Sequence, residues 1–369
     1  MKNKILWVIK AGSSLVATKD NKFNDTFVSE LAYQINHLRK NNIEVVVVSS
    51  GAVAKGLSEL NLKERPSKLH LLQAAAAVGQ VGLINSYKKE LDRFNIKTAQ
   101  VLVSHDDFNN RTRYINARRS LHSLLELGIV PIVNENDSVA TEEISFGDND
   151  TLAGMIVGLV DASKFIMLTD QIGICSKNPN IHSDAKLVEE INIDKDNLSK
   201  YMEEESGLLG RGGIKTKIKA ARMGLNSSSE VKVMDGRDPR SLLEELEGKG
   251  KGTRLISEVL AMPLRKQWIS NLSIEGSIVL DAGACEAIIS EGKSLLPVGV
   301  IKSTGDFTKG SLVSCQSEDL QEVAKGLINF SSKEMKLIEG HRSSEITSIL
   351  KYPSEEEVIH RNNLVLSRT

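Results

Sequence analysis

Several short segments carry residue types that together could hold and transfer a phosphate. Lys10-Ala11-Gly12-Ser13-Ser14 joins a lysine to a small, flexible turn. Backbone N–H groups of such a turn can approach an anion closely, and the lysine adds a point charge. Ser49-Ser50-Gly51-Ala52 repeats the small-residue pattern. Asn134-Glu135-Asn136-Asp137 and Gly147-Asp148-Asn149-Asp150 bring acidic and amide side chains together, a set suited to an ammonium group or to holding Mg²⁺ and lysines indirectly. Leu168-Thr169-Asp170 is a further polar turn. The sharpest segment is Gly207-Leu208-Leu209-Gly210-Arg211-Gly212-Gly213-Ile214-Lys215-Thr216-Lys217, where glycines permit unusual backbone angles and basic side chains stand at the start of a helix expected over 216–225. Each has a plainer reading: a lysine on a solvated surface, serines as helix caps, or Asn and Asp in local turns.

The elements that must position these residues follow from hydrophobic periodicity. Runs at 5–9, 45–48, 99–103, 130–133, 165–168 and 231–234 read as buried strands of a parallel sheet. Phe27, Leu31, Ile35 and Leu38 form one helical stripe, and Leu121, Leu124 and Leu125 form another that ends at Gly128. Such alternation predicts βαβ units with helices on both faces of the sheet. In an open α/β sheet, ligands bind beyond the carboxyl ends of the strands, where the chemical segments fall. The pattern changes near 248–252, where a Gly/Lys-rich stretch precedes Pro263 and a basic, Trp-containing segment. The expected division is a first domain over 1–258, a linker over 259–274 and a smaller α+β domain over 275–369. In the last, strands are expected at 277–280, 287–289 and 312–314, with a helix over 334–350.

Composition narrows the function. Forty-seven Lys+Arg against forty-eight Asp+Glu give a formal charge of −1, without the basic excess that a nucleic-acid binder relying on bulk charge needs. Residues 270–369 hold ten basic and fourteen acidic side chains, a net −4. No apolar run reaches the roughly 20 residues that span a bilayer, and no signal-peptide core stands at the N-terminus. Cys175, Cys285 and Cys315 form no disulfide framework or metal pair and read as small hydrophobes, so a reducing, cytoplasmic location is expected. The P-loop, G-x-G-x-x-G, H-E-x-x-H and G-x-S-x-G patterns are all missing.

Taken in order, these segments resemble the amino acid kinase family, in its glutamate 5-kinase branch with a C-terminal PUA domain; Leu295-Leu296-Pro297 and Gly305-Asp306-Phe307 carry the PUA portion. The resemblance implies an α/β fold, a three-layer αβα sandwich with a mainly parallel sheet, followed by a small β-rich PUA-type domain. It implies ATP-dependent phosphorylation of the side-chain carboxylate of L-glutamate, the committed step of proline biosynthesis, with Mg²⁺ on the ATP phosphates and no protein metal ligand assigned. Lys10 and Lys217 would contact the transferred phosphoryl group and Asp150 would orient them. Ser50, Asp137 and Asn149 would hold glutamate, with Gly51, Asn134 and Asp148 close by. Gly12, Ser13, Thr169, Asp170, Arg211, Gly212, Gly213, Ile214, Lys215, Thr216 and Lys217 would line ATP. Ile214 and Lys215 depart from the family pattern, which often has Met and a smaller residue there. The same resemblance implies inhibition by proline, a homodimer or homotetramer, and a functional link to glutamate-5-semialdehyde dehydrogenase. Aspartate kinase, acetylglutamate kinase and UMP kinase are rivals within the fold, because fold does not fix the acceptor. RNA binding, known of PUA domains elsewhere, is disfavoured by the acidic balance.

Overall fold

The computed structural model describes residues 5–18, 23–62, 64–139, 149–179, 181–198, 201, 213–258, 266, 269 and 272–367. The chain divides into two compact units, 1–261 and 262–369. In the first, β1 (Ile5–Ala11), β2 (Ile43–Val48), β3 (Thr98–Val103), β4 (Val130–Glu135), β5 (Lys164–Thr169), β6 (Glu190–Asn192), β7 (Glu230–Asp235) and β8 (Thr253–Ile256) form one sheet. Its order is β3-β4-β2-β1-β5-β7-β8-β6. Neighbouring strands run parallel except β7 and β8, which are antiparallel. The runs expected as strands are all present; β6 and β8 extend the sheet beyond them.

Period-two alternation of side chains gives this sheet two buried faces. Leu6 and Val8 of β1 join Val46 and Val48 of β2 in one core, packed by α4 (Arg111–Glu126), α5 (Asn149–Val160) and α6 (Ile214–Asn226). Trp7, Ile9 and Ala11 join Val45 and Val47 in the other, packed by α1 (Asp25–Lys40) and α3 (Leu69–Asp92). On α1 the stripe Phe27, Leu31, Ile35 and Leu38 is fully inward, and the Asn24 side chain caps the helix by accepting from Phe27 N. α4 stops before Gly128, which adopts φ +72°. α2 (Ala52–Glu59) crosses α3 backbone against backbone: a Cβ on Gly79 would lie 2.0 Å from Ala52 O, and one on Gly56 1.7 Å from Ala75 O. Among the described residues, no helix is long and apolar enough to cross a membrane.

The second unit holds β9 (Ile274–Leu280), β10 (Val300–Gly305), β11 (Leu312–Gln316), β12 (Glu322–Leu327) and β13 (Leu364–Leu366), in the order β10-β9-β11-β12-β13. Two sequence expectations fail here. Residues 287–289 are the last turn of α7 (Ala282–Ile289), which Asp281 nucleates by accepting from Ala284 N, and not a strand. The helix expected over 334–350 is broken into α8 (Ser332–Ile338) and α9 (Ile346–Leu350), because Gly340 turns the chain at φ +79°. Cys175 and Cys315 are buried and Cys285 half-buried, all as free thiols.

Candidate active site

Strand parity places Lys10 on the same face of β1 as Val8, the face covered by α5. There it meets Asp150, in the first turn of α5, at 2.8 Å. Lys217, one turn into α6, approaches the second oxygen of that carboxylate at 3.6 Å. The Thr216 hydroxyl is 2.8 Å from the same oxygen. The helices bring their N-termini together because Gly154 lets α6 close on α5; a Cβ there would lie 2.9 Å from Ala220 O. Asp150 has no exposed side-chain surface, and Lys10 and Lys217 are 5% and 12% exposed. Burial alone would push the Asp150 carboxyl up. The charges of Lys10 and Lys217, with hydrogen bonds from Lys10 and Thr216, outweigh burial and hold it down at about 2. A carboxylate gripping two lysines at a pair of helix N-termini leaves a compact positive site, suited to an anion of higher charge than Asp150 itself.

One residue back, Asn149 belongs to a different cluster. Its Nδ2 donates to Ser49 O at 2.8 Å and Ser50 Oγ at 2.9 Å, and lies 3.2 Å from Asn134 Oδ1. Asn134 in turn donates to Gln80 Oε1 at 2.8 Å. Ser49 is held by Tyr87 at 3.0 Å. Gly51 carries the chain from Ser50 into α2 at φ +101°, where a Cβ would lie 2.6 Å from Val16 Cγ1, so the turn requires glycine. Asp137 is buried beside Glu135, which pairs with His105 at 3.3 Å. Burial, then the Glu135 charge, raise the Asp137 carboxyl, with Arg65 opposing them, to about 7. Gln80, Glu135, Asn136 and Asp137 line one cleft of about 200 Å³.

On the other side of β1, Gly12 N donates to Leu168 O at 3.1 Å; a Cβ on Gly12 would lie 2.8 Å from that oxygen. This close approach puts the Gly12-Ser13 turn beside Thr169 and Asp170 at the end of β5. Asp170 shares the strand ends with Asp235, which holds Arg237 by paired hydrogen bonds of 2.9 and 2.7 Å. Gly213 begins α6 without a side-chain cap; Ile214 is buried in the core and Lys215 is exposed. Asp148, Arg211 and Gly212 lie outside the described residues. Gln80, Tyr87 and Arg237 are additions that sequence reasoning missed.

Residues 6–235 match the family model described as "Amino acid kinase family", and 276–350 match "PUA domain". The chain belongs to the amino acid kinase family. It is 46% identical over 361 residues to a protein named glutamate 5-kinase from Thioalkalivibrio sulfidiphilus (strain HL-EbGR7), covering 98% of this chain and 96% of the relative. A second of that name, from Nitrosococcus oceani (strain ATCC 19707 / BCRC 17464 / JCM 30415 / NCIMB 11848 / C-107), is 44% identical over 361 residues, with 98% and 96% covered. These relatives place the chain in the glutamate 5-kinase branch of the amino acid kinase family, and so among the kinases. A carbamate kinase from Giardia lamblia bound to AMP-PNP shares the fold at a TM-score of 0.50 and 15% identity, covering 70% of this chain and all (100%) of that one.

Proposed function

We propose that this kinase transfers the γ-phosphoryl group of ATP to the side-chain carboxylate of L-glutamate, giving L-glutamyl 5-phosphate and ADP, as the committed step of proline biosynthesis. The observation that carries the reading is the adjacency of Asn149 and Asp150. One residue belongs to a neutral serine–amide cluster suited to an amino acid, the next to a two-lysine site suited to phosphate.

The chemistry needs little beyond this. A glutamate carboxylate, with a reference pKa of about 4.3, is already an ionised nucleophile near neutral pH, so no general base is required. The barrier is repulsion: two like charges about 4 Å apart cost on the order of 4 kcal/mol at an effective dielectric near 20. Phosphoryl transfer is therefore chiefly positioning and charge neutralisation. Lys10 and Lys217 supply the positive charge, and Asp150 fixes their ammonium groups without donating a proton. Ser50, Asp137 and Asn149 hold glutamate, with Gly51, Asn134 and Asp148 around them. The Gly12-Ser13 turn, Thr169, Asp170 and 211–217 line the nucleotide. Mg²⁺ would supply charge neutralisation on the ATP phosphates. The Asp150 carboxylate, already engaged by two lysines and Thr216, fits a metal carried by the nucleotide better than one caged by protein.

Proline is proposed to raise the apparent KM for glutamate by overlapping its site, and the first unit to associate into dimers or tetramers. Unchanged glutamate saturation in millimolar proline would refute the former, and a light-scattering mass of a single chain the latter. The function itself is tested by ADP release with Mg-ATP and, separately, L-glutamate, L-aspartate, N-acetylglutamate and UMP. Release with glutamate alone supports the assignment; release with another acceptor keeps the phosphate site and overturns the acceptor.

A further inference from the structure

Three buried polar atoms around the serine–amide cluster have no hydrogen-bond partner among the described residues: Asn149 Oδ1, Asp137 Oδ1 and Gln80 Nε2. Their pattern follows from one fixed point. Ser49 O is a carbonyl and can only accept, so the Asn149 atom facing it at 2.8 Å must be the amide nitrogen. That nitrogen also faces Asn134 Oδ1, so the Asn134 nitrogen is turned to Gln80 Oε1. The three amides thus form a polarised chain with an accepting oxygen left over on Asn149 and a donating nitrogen left over on Gln80. A buried, unmet acceptor costs free energy unless a ligand meets it. Two such acceptors, on Asn149 and Asp137, are what an ammonium group takes.

We propose that Gln80 is a positioning residue for the amino-acid substrate: by holding Asn134, and through it Asn149, it keeps the Asn149 oxygen oriented, with Asp137, toward the substrate's ammonium group. This rests on the functional reading above. Gln80 is well placed for the task. Its neighbour Gly79 lies against α2, where a Cβ would come within 2.0 Å of Ala52 O and 2.2 Å of Gly56 N. The helix that carries Gln80 is thereby locked to α2, which follows directly on Ser50 and Gly51. Gln80 and Asp137 also line the same cleft.

The test is Gln80→Met, which keeps length and loses the hydrogen bond. The KM for glutamate is expected to rise about tenfold, the worth of one hydrogen bond, while kcat stays within about twofold and the KM for ATP is unchanged. Asn134→Ala cuts the chain one link later and must give the same split, which keeps the test open if Gln80→Met accumulates poorly. In an Asn149→Ala background, Gln80→Met should add nothing further. Wild-type glutamate KM in Gln80→Met, equal rises for both substrates, or additivity with Asn149→Ala would overturn the inference alone. Absence of glutamate-dependent ADP release from the wild-type protein would overturn the functional reading and this inference with it.

Discussion

Replacing Lys217 by Ala separates catalysis from stability in this site. The Lys217 ammonium stands 3.6 Å from Asp150 and is 12% exposed, so it holds a largely desolvated charge beside the proposed phosphoryl position. A phosphoryl oxygen about 4 Å from that charge gains on the order of 4 kcal/mol at an effective dielectric near 20. Its loss should lower kcat about a thousandfold. The fold should tolerate the change better, because Asp150 keeps Lys10 at 2.8 Å and the Thr216 hydroxyl at 2.8 Å. We expect a cost of about 1–2 kcal/mol, or a fall in Tm of roughly 2–4 °C. Glutamate KM should hardly move, since the serine–amide cluster does not include Lys217. The assay is coupled ADP release at saturating glutamate and Mg-ATP, with thermal unfolding alongside. A kcat within tenfold of wild type, in a folded variant, would refute the role given to this lysine.

Three other expectations use different observables. Asp150→Asn strips buried Lys10 and partly buried Lys217 of their counter-charge and should cost about 2–4 kcal/mol at pH 7 by urea unfolding. Because the folded carboxyl is held down at about 2, its stabilisation is present above the ordinary carboxylate range and is lost as pH falls through about 2; the gap between wild type and variant must narrow in acid, and equal stability at pH 7 would contradict the account. Asp137, raised to about 7 by burial and Glu135 against Arg65, should bind an ammonium group better once ionised, so glutamate KM should fall between pH 6 and 8 while ATP KM stays flat. Its raised value also means the free protein loses stability as pH rises from about 4 through 7; Asp137→Asn should abolish both trends, and a pH-independent glutamate KM in wild type would count against them. Gly79→Ala places a methyl 2.0 Å from Ala52 O, so the α2–α3 pair must part, costing more than about 3 kcal/mol and raising glutamate KM; wild-type urea unfolding would show the crossing to be slack.

How much of this was legible in the sequence depended on the range of the interaction. Central strands such as β2, Ile43–Val48, are apolar at every position but Glu44 because both faces are buried, and that pattern is visible locally. β6 and β8 are short and carry mixed residues, so nothing local separates them from loops. Residues 287–289 looked like a strand because the paired isoleucines favour one; the Asp281 cap, several residues upstream, decides for helix. In the site, Lys10 and Asp150 were legible as candidates in segments near strand ends, where ligands bind, and the family resemblance supplied their pairing. Gln80 did not: it lies within α3, in a run of alanine, valine and glycine, and only the fold brings it to Asn134 across fifty-four positions.

The most direct measurement of the central claim is a trap for the product. Wild-type protein is incubated with Mg-ATP, L-glutamate and hydroxylamine, and both ADP and γ-glutamyl hydroxamate are quantified. An acyl phosphate intermediate predicts hydroxamate in equal amount to the glutamate-dependent ADP, with neither formed when glutamate is omitted. ADP release that glutamate stimulates without any hydroxamate would show that the carboxylate is not the acceptor and would contradict the account.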